Sequence, residues 1–505
     1  MPINIKHNII ANFSGRAWSA LIALAFLPLY VRFLGIEAYG LIGVFASLMA
    51  LFSVFDMGLS TTLSKELARL TAGSGSERET RDLVRTLELI YWGVGILIGI
   101  AVATAAPFIA HYWVNAEGIA LAILTHTIAT IGLVIALQWP IALYSGGLVG
   151  LQRQILLNSV RIAGSTLQAG GAILVLWLWS PTILAYFIWQ IFAGALFTAV
   201  LSWCLWNSLP SAGPAAFRKS LLTKNWRFAG GMMGITLLVT VLTQTDKIIL
   251  SKMLTLETFG YYSLATAIAG ALTYISNPIF SALFPRFSQA AMGGDTAEVA
   301  LLYHKGSQLM AMLVLPPGMI VAWFSKELLS VWFGVGPTAS QSYLLVSLLF
   351  VGGSLNALLT LPYALQVANG WTGLIFRVNL VSVVFFIPLL IWLVDRQGAV
   401  GAALAWIALN VSYFFFVVPL MHRRLLKESM GRWYLIDVGL PAALSLGMCV
   451  VARLTLPSGL PSYAVLLWIA STFVLTTFCV ALSMPFTREW LGKGFFRSLG
   501  ALADR

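Results

Sequence analysis

R-F-L-G-I-E-A-Y-G, from Arg32 to Gly40, returns 220 residues later as K-M-L-T-L-E-T-F-G, from Lys252 to Gly260. Leu34/Leu254, Glu37/Glu257 and Gly40/Gly260 are identical in the two copies, and Arg32/Lys252, Ile36/Leu256 and Tyr39/Phe259 keep their chemical type. Each copy lies between two long apolar stretches. A second echo has nearly the same offset: P-I-A-L from Pro140 returns as P-Y-A-L from Pro362, and Asn158 as Asn379. The chain is therefore internally duplicated, and a repeated half of this length in an apolar chain is the pattern of carriers built as two bundles around a central site.

The apolar character decides the solvent. Of 505 residues, 59% are hydrophobic and 10% charged, against about 25% charged in ordinary soluble domains. Residues 89–116, 118–152, 162–217 and 328–376 contain no Asp, Glu, Lys or Arg, and about 20 apolar residues suffice to cross the hydrocarbon as a helix. The expected fold is an all-α polytopic membrane protein of about fourteen transmembrane helices, running from 13–31 to 462–484, with the thirteenth at 438–452. The duplication divides them into an N-terminal six-helix bundle (1–206), a cytoplasmic connector (207–228) made flexible by Pro210, Gly213 and Pro214, a C-terminal six-helix bundle (229–420), and two extra helices with a cytoplasmic tail (421–505). Six spans per repeat is an even number, so both bundles share one orientation and their pseudo-twofold axis lies along the membrane normal.

Lys and Arg gather in cytoplasmic loops. With an inner N-terminus, 23 of the 30 basic residues face the cytoplasm and five face out, while Arg16 and Lys247 fall within spans; both termini are expected inside. This scatter over loops also accounts for the net charge of +12 without nucleic-acid binding, which needs a basic patch on one face. The first apolar segment is long and lacks a small-residue cleavage site, so it is read as a retained span. Cys204, Cys449 and Cys479 lie in spans without metal-type spacing. No phosphate-binding G-x-x-x-x-G-K-[ST], dinucleotide fingerprint or H-E-x-x-H occurs. Neither a cofactor nor a metal site nor a catalytic residue is expected, and no outer loop is large enough for a catalytic domain.

Ionisable groups inside a bilayer are functional candidates by default. They are Arg16, Asp56, His126, Asp246 and Lys247, with Arg377 at the inner mouth of the eleventh span. Arg16 and Asp56 sit on adjacent antiparallel spans, where they either pair or separate, Arg16 snorkelling to headgroups and Asp56 tying a loop. Asp246 and Lys247 are neighbours that do not face each other across a helix; they either line a cavity or anchor the interface. His126 either titrates or is a packed histidine. Gly95/Gly99 and Gly230/Gly234 suit close helix packing. Asn277-Pro278, near the middle of the eighth span, is a candidate hinge at which freed carbonyls face a cavity. Cations outnumber anions slightly, which suits a phosphate-bearing cargo.

Six ordered motifs carry a family resemblance. N-x-x-x-N-F-S-G-R-A-W from Asn8, P-L-Y-V-R-F-L-G-I-E-A-Y-G-L from Pro28, D-M-G-L from Asp56, G-L-V-G-L-Q-R from Gly147, T-Q-T-D-K from Thr243 and F-G-Y-Y-S-L-A from Phe259 resemble the polysaccharide-biosynthesis flippases of the multidrug/oligosaccharidyl-lipid/polysaccharide exporter superfamily. The resemblance implies a bacterial inner-membrane protein, not an enzyme, that moves a polyprenyl-diphosphate-linked oligosaccharide from the cytoplasmic to the periplasmic leaflet for a surface glycan such as lipopolysaccharide or exopolysaccharide. It implies alternating access driven by a proton or sodium gradient, and other polysaccharide-assembly membrane proteins as partners. By that analogy Arg16, Asp56, Asp246, Lys247 and Arg377 are substrate-cavity candidates and Asp56 and His126 ion-coupling candidates. Two rival readings stay within the superfamily, a cation-coupled multidrug antiporter and a peptidoglycan-precursor flippase. Few intramembrane carboxylates weigh against the first, and the lack of a clustered Arg pair at the outer end of span one against the second.

Overall fold

A computed structural model describes residues 15, 17–70, 77–211, 213–427, 429–485 and 487–488. Every regular element among them is helical, as a bilayer demands of a chain whose peptide groups have no water to bond. Among the described residues twelve helices are long and apolar enough to cross a membrane. One of these, Thr372–Leu425, has 54 residues, about 80 Å of helix where about 30 Å suffices. It breaks at Gly398, whose φ of 58° and ψ of −136° lie outside helical space. Lys219–Met253 forms a further helix where the seventh span was expected.

We number the helices α1 (Ala17–Leu34), α2 (Ile36–Phe52), α3 (Leu59–Arg69), α4 (Glu77–Phe108), α5 (Leu121–Gln138), α6 (Ile141–Gly150), α7 (Gln154–Leu178), α8 (Ile183–Ser208), α9 (Lys219–Met253), α10 (Leu256–Ala269), α11 (Thr273–Gly293), α12 (Thr296–Phe333), α13 (Pro337–Ala368), α14 (Thr372–Leu425), α15 (Met430–Leu454) and α16 (Ser462–Ser483). Their packing divides the chain into two units, Met1–Leu264 and Ala265–Arg505.

In the first unit the long hairpin α4–α5 closes on glycine. A Cβ on Gly99 would lie 2.8 Å from Ala136 Cβ, and one on Gly132 would lie 2.7 Å from the Gly99 carbonyl oxygen. Backbones this close gain dispersion contacts that lipid cannot supply. The helix α8 joins the hairpin through Thr198 Oγ1, which donates to the Leu137 carbonyl at 2.8 Å.

The two motif copies meet in this unit. A Cβ on Gly40 would stand 2.7 Å from the Leu256 carbonyl oxygen, and one on Gly260 would overlap the carbonyl of Ile36. Ile36 and Leu256 are equivalent positions, as are Gly40 and Gly260, so each copy offers the other the same two residues, as a twofold-related contact must. Gly43 touches Ser263, its own equivalent. The rest of the motif has diverged in use. Gly35 turns the chain between α1 and α2 at φ 79°, while Thr255 in its place accepts a bond from the Thr258 amide at 3.3 Å. Glu37 accepts the amides of Glu117 (2.7 Å) and Gly118 (3.0 Å), whereas Glu257 accepts the Tyr261 hydroxyl at 2.9 Å.

Part of the expected connector 207–228 is helical and part is tied to α4. Helix α9 starts at Lys219, and the preceding residues are held by α4: Asp82 accepts the Ala216 amide at 2.7 Å and the Arg218 guanidinium at 2.7 Å, and Thr86 Oγ1 accepts the Arg218 amide at 2.9 Å.

In the second unit α13 packs between α12 and α14, and α12 also carries α15 and α16. Helix α12 contains Pro316 and Pro317 and loses helical geometry at Phe324, and α11 runs on through Pro278 and Pro285 just beyond a tightened turn at Gly270–Leu272.

Candidate functional site

Asp56 ends α2 in a tightened turn, and the next two residues, Met57 (φ 48°) and Gly58 (φ 73°), are left-handed. The D-M-G-L motif is thus a helix break, with glycine supplying one of its two positive-φ residues. The Asp56 carboxylate accepts the Tyr91 hydroxyl and the Ser60 hydroxyl, the latter at 2.9 Å. Arg16, its expected partner, lies outside the described residues.

One turn before Tyr91 on α4, Glu88 is nearly buried and fully engaged. One oxygen accepts Tyr144 Oη at 2.7 Å and Trp206 Nε1 at 3.1 Å; the other pairs with Arg85 at 2.8 Å. Trp92 Nε1 donates to Tyr144 at 3.1 Å. This network joins α4, α6 and α8.

Asp246 and Lys247 do meet, contrary to their expected divergence on α9. The flexible lysine stem folds back so that Nζ lies 3.4 Å from Asp246 Oδ1 and donates to the Thr243 carbonyl at 2.8 Å, while Asp246 Oδ2 accepts Tyr262 Oη at 2.5 Å. The T-Q-T-D-K motif therefore forms a compact polar knot between α9 and α10. His126 is on the exposed face of α5, not packed. Asn277 is also exposed, with Pro278 beside it on α11.

Arg377 is exposed at one end of a cavity of about 600 Å³ in the second unit, lined by Ser382, Phe385, Leu389, Tyr413 and Phe416 from the two arms of α14. Its guanidinium can meet an anionic head while the walls accept an apolar chain.

The second unit also holds a polar cluster that the sequence reading missed. Asp437 is fully buried at the start of α15; its Oδ1 accepts Gln308 Nε2 at 2.8 Å, and its Oδ2 pairs with His304 Nδ1. Trp433 Nε1 donates to Ser307 at 3.1 Å, and His422 is buried beside both Trp433 and Tyr303. The one sequence signal for it was the lone Asp437 at the weak edge of the thirteenth span.

Residues 5–291, more than half of the chain, match the sequence profile described as "Polysaccharide biosynthesis protein". The chain belongs to this family. Among relatives of this polysaccharide biosynthesis protein, one from Shigella flexneri named "Putative O-antigen transporter" is 26% identical over 410 residues, covering 80% of this chain and 94% of the relative. The lipopolysaccharide biosynthesis protein WzxC of Escherichia coli strain K12 is 22% identical over 469 residues, covering 87% and 86%. In fold it is similar to the lipid II flippase MurJ in an inward closed conformation, with a TM-score of 0.69 at 14% identity over 97% of this chain and 98% of that one. Duplication, apolar helices and D-M-G-L break thus belong to a multi-pass membrane protein of polysaccharide biosynthesis.

Proposed function

We propose that this protein is a carrier that flips a polyprenyl-diphosphate-linked oligosaccharide from the cytoplasmic to the periplasmic leaflet of a bacterial inner membrane, by alternating access coupled to a proton or sodium gradient. The self-complementary contact between the motif copies carries the reading. Two pseudo-equivalent halves that meet at matched glycines can exchange one close-packed arrangement for another at little cost, which is what alternating access requires. The family assignment supplies the pathway, and the relatives' names supply the cargo class.

In this reading Arg16, Asp56, Asp246, Lys247 and Arg377 remain the substrate-cavity candidates, Asp56 and His126 take part in ion coupling, and Asn277-Pro278 bends. The prenyl tail stays in lipid. The reading keeps about fourteen spans, which counts the 54-residue helix Thr372–Leu425 as two crossings and takes Lys219–Met253 as one. The six-helix bundles 1–206 and 229–420 bracket the connector 207–228, the appended helices and tail occupy 421–505, and both termini are cytoplasmic. Other polysaccharide-assembly membrane proteins consume the delivered glycan.

The test places a polyprenyl-diphosphate oligosaccharide in liposomes and follows the fraction reached by a membrane-impermeant glycosidase. Protein-dependent exposure beyond the outer-leaflet share is expected. No change under imposed pH and sodium gradients would overturn the reading and leave drug antiport as its successor.

A further inference from the structure

Glu88 and Asp437 are both buried carboxylates, and their surroundings differ in kind. Glu88 is held by arginine, tyrosine and tryptophan donors. Asp437 is held by a histidine, and a second buried histidine lies in the same cluster.

A carboxylate with no exposure must be neutralised. Here the group placed to do so is His304, whose Nδ1 faces Asp437 Oδ2. The titratable groups facing the pair are Tyr303 on α12 and His422 on α14, and Tyr434 on α15 in turn faces Tyr303. Two of them have polar atoms in reserve. His422 Nδ1 donates to the Val418 carbonyl at 2.9 Å, which leaves the Nε2 lone pair as an acceptor, and that atom is buried without a hydrogen-bond partner. The Tyr303 hydroxyl is likewise buried and unpartnered, its ring 5.4 Å from that of His422. A purely structural cluster satisfies such atoms. The backbone adds a third feature: Trp433–Gly439 is wound as a wide π turn, a form concentrated at functional positions in helices.

We propose that His304 and Asp437 form a proton-binding site whose occupancy governs the contact between α12 and α15; this rests on the ion-coupled flippase reading and adds a coupling group to Asp56 and His126. A proton taken from the aqueous phase converts the pair to imidazolium and neutral carboxyl. The ion pair is then lost, and the unpaired His304 cation in a dry site drives the helices apart. Histidine favours a proton over sodium, because hard cations seek oxygen ligands and both Asp437 oxygens are engaged. Among the described residues no group of three or more His, Cys, Asp or Glu could hold a metal ion.

The test has two arms on the full-length protein. Without lipid-linked cargo, infrared difference spectra over an acid titration should show protonation of a buried carboxyl that disappears in Asp437→Asn. In liposomes, a pH gradient should accelerate flipping by wild type, and this acceleration should fall about tenfold in Asp437→Asn while ungradiented exchange persists. His304→Gln, which keeps a donor towards Asp437, gives the same loss and replaces Asp437→Asn if that variant does not fold. A gradient response retained by either variant, or an infrared signal unaffected by both, overturns the site. If the infrared arm succeeds while wild type flips nothing, the proton site stands and the flippase reading falls.

Discussion

Glu88 illustrates how a charge survives in an apolar chain. Three donors from three directions, Arg85, Tyr144 and Trp206, share its two oxygens, so neither charge nor lone pairs are left bare. Glu88→Ala would strand the buried Tyr144 hydroxyl and Trp206 indole, and a loss of about 2 to 3 kcal/mol is expected, read as a lower thermal midpoint in detergent. Glu88→Gln, which keeps an acceptor, should lose less. The sequence reading passed over this residue for a physical reason. The uncharged run 89–116 starts one residue after Glu88, and the thirteenth span, 438–452, one after Asp437. Hydropathy places compensated charges outside the membrane by construction, because compensation comes from residues far away in sequence. Asp56 and the D-M-G-L break were legible because the motif is local, and Lys247's reach to Asp246 was not, because it depends on a side-chain rotamer.

Among the elements, the contact between α2 and α10 makes the sharpest forecast. Gly40→Ala would press a methyl against the Leu256 carbonyl oxygen at 2.7 Å, which neither backbone can yield easily. Overpacking of this kind costs about 1 to 3 kcal/mol. Gly93→Ala, on α4 with nothing within 4 Å of its Cβ, should be neutral or stabilising by up to about 1 kcal/mol. Paired melting curves check both, and equal effects would refute the packing argument. The helices themselves were readable from uncharged runs, and the repeat announced which two would correspond. Which faces of those helices touch was not readable, since α2 is apolar almost all round and offers no stripe to orient it.

For the whole molecule, the positive-inside distribution predicts where the ends emerge. Alkaline phosphatase fused after Arg505 should be inactive, and a fluorescent protein fused there should fold and fluoresce; the reverse pair of results would invert every loop assignment. The same fusions placed at the turn near Gly398 should give the opposite pattern, which also tests whether α14 crosses twice.

Gly43 and Ser263 give the duplication a historical edge. In a symmetric pair made from one short gene, the residue at this position would have to face a copy of itself. Two glycines would leave a gap there, and two serines would collide, because a Cβ on Gly43 already overlaps the Ser263 side chain. One glycine against one serine fills the space, and a homodimer cannot encode that combination. Within a single chain the two copies change independently, so this one position can carry a fit that two identical partners could not make.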